Sequence, residues 1–250
     1  MNSRIAFLPI AALANLGLFI WWYSRTNDFL YITIALVVIN LILALWLNSS
    51  RRDWWSFSLL PLIFTFSALA YSLVISSPSV VISIITFTFV VLVIYWRLVY
   101  IYAFKHPAYH PFSLERFFYY LSFISIFFFT AAAYGIKTFL DIPLWQLASV
   151  FLLFELILIY LWSWINKLDW SAAWPYSVAL LFMVLELFFV MTLLPLNFNI
   201  SGFIVASAWH GMSFLATENI GTRLNFKRGR VLISLIIIIW LAVLITARWF

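Results

Sequence analysis

Nine apolar runs, each long enough to cross a bilayer and none separated from the next by more than about fifteen residues, leave this chain little choice of fold. They fall near residues 5–23, 29–47, 56–76, 80–104, 117–139, 143–165, 175–194, 200–216 and 231–249. A hydrocarbon core about 30 Å thick offers no water to backbone N–H and C=O groups, so each spanning segment must close its own hydrogen bonds as a helix. The expected fold is all-α, a polytopic transmembrane helix bundle of eight or nine spans. The eighth run is the shortest and least hydrophobic, and suits either a full crossing or a re-entrant segment.

Charged residues make up only 9% of the chain, against about 25% in soluble domains. Residues 1–250 therefore read as a single membrane domain with no soluble domain, and any site must lie in the membrane or in a short loop. The absence of cysteine excludes a thiolate-bound metal, an iron-sulfur cluster, thioether-bound haem and disulfides. It leaves other cofactors undefined. Ala12-Leu13-Ala14 resembles a signal-peptidase site, but it falls in the middle of an apolar run continuing to Tyr23, which suits an uncleaved first helix.

Prolines punctuate the runs. Pro78, Pro143 and Pro175 stand at expected helix starts, where a missing N–H is harmless, and Pro195 closes the seventh span. Pro9 and Pro61 fall inside spans, where a kink is expected. Ten tryptophans, including Trp96, Trp145, Trp162 and Trp174, fall near the expected interfaces as aromatic belts do.

If nine helices alternate in direction, eleven of the fourteen Lys and Arg residues fall on one side and only Arg25, Lys137 and Arg248 on the other. The positive-inside rule then puts the N-terminus in the cytoplasm and the C-terminus outside. That placement explains the net charge of +6 as topology, with no nucleic-acid partner. The densest basic segment, Arg223, Lys227, Arg228 and Arg230, is a candidate contact for anionic lipid of the surrounding bilayer.

Three titratable side chains carry the functional expectation. Glu155 lies twelve residues past Pro143, Glu186 eleven past Pro175 and His210 ten past Ile200, which puts all three at about 15–18 Å, near mid-membrane. An ionised group there costs on the order of 3 kcal/mol or more, so it faces the bundle interior with a partner or lines a pathway. Glu155, Glu186 and His210 are candidates for a proton, ion or ligand site, and together for a metal such as zinc or manganese. Each also has a packing explanation, a hydrogen bond to a neighbouring helix. His210 belongs to a stripe of small and polar residues, Gly202, Ala206, His210, Ser213 and Thr217, that favours close helix approach.

Further candidates are weaker. Arg97 either snorkels to the headgroups, the reading its position favours, or pairs with a glutamate. Asn15 and Asn40 suit interhelical hydrogen bonds. His106 and His110 are four apart, but two prolines break the helix that would bring them together. The chain has no phosphate-binding Gly-rich loop, no His-Glu-x-x-His motif and no Gly-x-Ser-x-Gly elbow. Three functions follow as expectations. The first is a proton- or cation-linked small-solute transporter or transport-complex subunit. The others are an intramembrane metal-dependent or acid-base enzyme acting on a lipid or peptide, and a non-catalytic scaffold.

Overall fold

The computed structural model describes residues 54–104, 113–220 and 226–246, together with Val38 and Ile42. Seven helices account for nearly all of them, and no strand occurs among the described residues. They are α1 (Trp54–Val74), α2 (Pro78–Phe104), α3 (Ser113–Leu140), α4 (Leu144–Ile165), α5 (Trp170–Leu193), α6 (Phe198–Ile220) and α7 (Phe226–Thr246). Among the described residues, helices α1 to α6 are long and apolar enough to cross a membrane. The span expected at 5–23 and, apart from Val38 and Ile42, the one at 29–47 lie outside the described residues with Asn15 and Asn40, as do His106, His110 and Arg223. The eighth run forms one unbroken helix of 23 residues, about 34 Å at 1.5 Å per residue, which is enough for a full crossing.

The chain divides into two compact units, Met1–Phe118 and Tyr119–Phe250. In the first, α1 and α2 form an antiparallel hairpin, with Phe57 against Tyr102 and Phe64 against Phe87. Helix α1 continues through Pro61 without a break. A proline has no N–H to give the carbonyl four residues back, and lipid cannot supply a donor instead. Here the neighbouring helix does so: the Tyr95 hydroxyl donates to the Phe57 carbonyl at 2.6 Å. Thr65 and Ser67 turn their hydroxyls back onto the carbonyls of Pro61 and Ile63, which hides two more polar groups within α1.

Tyr95→Phe should therefore lower stability by about 1–3 kcal/mol, because it takes a hydrogen-bond donor from a buried carbonyl. Pro61→Ala restores the missing N–H, so the Tyr95 substitution should cost much less in that background. A double-mutant cycle on unfolding in detergent measures the coupling, and equal costs in both backgrounds would refute the assignment.

In the second unit, connections of a few residues join successive helices, as antiparallel neighbours require. Helix α4 ends in a Schellman turn: Leu168 N–H bonds the Ser163 carbonyl and Lys167 N–H the Trp164 carbonyl, both at 3.1 Å, with Lys167 left-handed at φ 53°. Helix α5 begins at Trp170, five residues before the expected start at Pro175. The carbonyl that Pro175 leaves without a donor belongs to Ser171, which is exposed at the helix end. Helix α7 docks on α6 through the Trp240 indole N–H, which donates to Ser207 Oγ at 2.7 Å.

Trp145, Trp170 and Trp174 are exposed near helix starts, as belt residues are. Trp96 and Trp162 are instead buried in the helix packing. Their spacing from helix ends fits either location, and only packing distinguishes the two.

Candidate functional site

Helix α3 sets the geometry of the second unit because it runs antiparallel to both α4 and α6. Near its start, Tyr119 Oη donates to Asn166 Oδ1, just past the end of α4, at 3.2 Å, and stands 2.8 Å from Thr217 Oγ1 near the end of α6. Ten residues on, Phe129 stacks on Phe154 of α4 at 4.3 Å, and Thr130 Oγ1 reaches the Gly202 carbonyl of α6 at 3.3 Å. Helices α4 and α6 thus lie parallel to one another. They are linked directly where Trp162 Nε1 donates to Thr217 Oγ1 at 2.9 Å.

Glu155 lies seven residues before Trp162, and His210 seven before Thr217. Seven residues are two turns, about 10 Å, and return to the same helix face. Each residue therefore lies on the side of its helix that carries the Trp162–Thr217 link. Glu155 is also central along α4, eleven residues from Leu144 and ten from Ile165. It is 1% exposed, and neither carboxyl oxygen has a hydrogen-bond partner. The His210 ring meets Tyr119 and Phe123 of α3 edge-on at 6.0 and 5.8 Å, and its Nδ1 is buried without a partner. The two do not bond each other. Their flanking α3 neighbours, Phe123 beside His210 and Phe129 beside Phe154, are six residues or about 9 Å apart along the axis.

A polarity gradient results along the interior of this unit. At the end where α4 and α6 terminate, Asn166, Tyr119, Thr217 and Trp162 form a hydrogen-bonded ladder. His210 and Glu155 each lie two turns further in on their own helices. Beyond Glu155 the interior is closed by aromatic rings, with Phe129 on Phe154, Phe151 on Phe188 at 4.5 Å and Tyr134 on Phe188 at 5.0 Å. The Tyr134 hydroxyl is committed to the Phe188 carbonyl at 3.0 Å. Thr217 can direct its one hydroxyl proton to Tyr119 or to the Ser213 carbonyl at 2.9 Å, so the ladder has two hydrogen-bond arrangements.

Glu186 stands elsewhere. The buried stripe of α5 is Leu180, Val184, Phe188 and Met191. Glu186 lies two residues from both Val184 and Phe188, about 200° around the helix, and it is exposed. It borders an open groove with Phe182, Phe189 and Leu193. With α5 starting at Trp170, Glu186 is seven residues, about 10 Å, from the Leu193 end rather than central. Among the described residues no three His, Cys, Asp or Glu side chains are grouped to hold a metal. Arg97 is exposed on α2.

The Tyr119–Asn166–Trp162 ladder has no clear signal in the sequence. Thr217 falls on the small-residue stripe, but its partners come from two other helices.

These helices and their interior polar groups define a class, the multi-pass, all-helical integral membrane proteins. Comparison with protein-family models, curated proteins and solved structures finds no match for the chain.

Proposed function

We propose that the protein moves a proton or small cation, linked to a small solute, through the second unit, with Glu155 as the binding group and His210 as relay toward the Asn166 end. The observation that carries this reading is the isolation of Glu155, a mid-helix carboxyl that is almost wholly buried with both oxygens unpartnered. Leaving a buried polar group unpaired costs about 1–3 kcal/mol, and an unpaired charge several times more. Such a group is retained where a proton or cation occupies it during the working cycle. The polar ladder, His210 and Glu155 supply a route from one end, and the aromatic stack beyond Glu155 supplies a barrier at the other. Among the described residues no three ligands are grouped for a metal, whereas transport needs only these two groups in the interior of the unit.

The test uses the full chain in liposomes holding a pH-sensitive dye, with a potassium diffusion potential driving proton entry. Glu155→Gln should reduce the flux by about a hundredfold, the scale of removing a proton-transfer group. Glu186→Gln, on the exposed face of α5, should leave it within about twofold of the unaltered protein. Undiminished flux in folded Glu155→Gln protein would remove the proposal.

A further inference from the structure

A second feature of this unit lies on its outer surface, where α5, α6 and α7 enclose a groove of about 410 Å³ that is open on its outer side. That volume falls in the range of small-molecule sites. Its polar groups all lie at one end. Tyr176 is near the start of α5, Asn219 near the end of α6 and Arg230 near the start of α7. Asn219 Nδ2 donates to the Tyr176 hydroxyl, which joins two of them. The deeper walls are apolar, with Met183 one helix turn pair, about 10 Å, beyond Tyr176, and Met212 and Ile233 opposite.

A cationic and hydrogen-bonding head above an apolar trough matches the layout of one lipid molecule, phosphate at the interface and acyl chain toward the bilayer centre. Arg230 is the basic residue among those that line the head of the groove. A phosphate monoanion can take paired hydrogen bonds from a guanidinium, and a headgroup with no cation of its own to offset that phosphate gains the most from the charge. Methionine walls suit a chain that adopts many conformations.

We propose that this groove seats a single anionic phospholipid, with its phosphate at Arg230 and an acyl chain along Met183, Met212 and Ile233. The assignment is independent of the transport reading, since Glu155 and His210 lie inside the bundle and not on this surface.

The experiment follows thermal unfolding of the full-length protein in mild detergent while phosphatidylglycerol or phosphatidylcholine is added. Phosphatidylglycerol should stabilise at lower concentration than phosphatidylcholine. Arg230→Gln should weaken its apparent affinity by about fivefold, the value of one basic group at an anionic lipid, and so bring the two lipids together. Arg230→Lys should keep most of the preference. Ala179→Trp, which fills the trough, should reduce the response to both lipids. An unchanged preference in Arg230→Gln would overturn the headgroup assignment, and an unchanged response in Ala179→Trp would overturn the chain assignment. Equal stabilisation by inorganic phosphate or glycerol phosphate would show an anion site without a lipid. Because proton flux in liposomes reports on Glu155 and lipid response on Arg230, either idea can fail alone.

Discussion

Glu155→Met is expected to raise the unfolding free energy by about 2 kcal/mol while removing proton-dependent flux. Most substitutions of buried residues destabilise, so a gain here would be diagnostic. The reasoning is local. Glu155 has no donor for either oxygen and is packed among apolar neighbours on its own helix, including Leu158 and Ile159. Methionine is similar in length and flexible, and fills the same space without a polar group to strand. Glu155→Gln should gain less, because its amide still lacks partners. Unfolding midpoints in mixed micelles decide the matter. A clear loss of stability in Glu155→Met would mean that the carboxyl is tied into the packing, and its case as a working site would fall with it.

The second large effect is expected at Gly202, where α6 crosses α3. A Cβ added there would stand 2.9 Å from both the Cβ and the backbone nitrogen of Ala131. Backbone cannot swing aside as a side chain can, so Gly202→Ala should force the helices apart and cost about 1–3 kcal/mol. The same displacement would pull Thr130 from the Gly202 carbonyl and move His210 relative to Phe123. Gly211 is the control on the same helix. Its added Cβ would meet only the tip of Ile236, a flexible end, so Gly211→Ala should be neutral or gain up to about 1 kcal/mol from helix propensity. Equal costs at the two glycines would show that close approach of α3 and α6 is not what Gly202 provides.

These two residues were legible to different degrees. The stripe containing Gly202 stands out in the sequence because small residues recur at helical spacing, and the structure packs it against α3. Glu155 stands out because a charged residue in a long apolar run is rare. Glu186 has the same signature yet sits on the outer surface of α5. Residues 178–191 are otherwise all apolar, so the composition of that stretch does not distinguish its inner face from its outer one. In a soluble helix the polar side faces water, but here both lipid and protein are apolar, and the periodic signal that would orient the helix vanishes. For the same reason Trp162 resembles a belt residue by position until its N–H is found on Thr217.

The number and length of long apolar runs, and the helical form they must take, are determined by the sequence itself, because lipid forbids any segment from leaving its backbone groups unpaired. Which face of each helix turns inward was decided only by the tertiary structure. That choice rests on contacts between helices far apart in the chain, such as Tyr119 with Thr217 and Phe129 with Phe154. It separates the enclosed Glu155 from the exposed Glu186, two carboxyls that the bare sequence presents as equals.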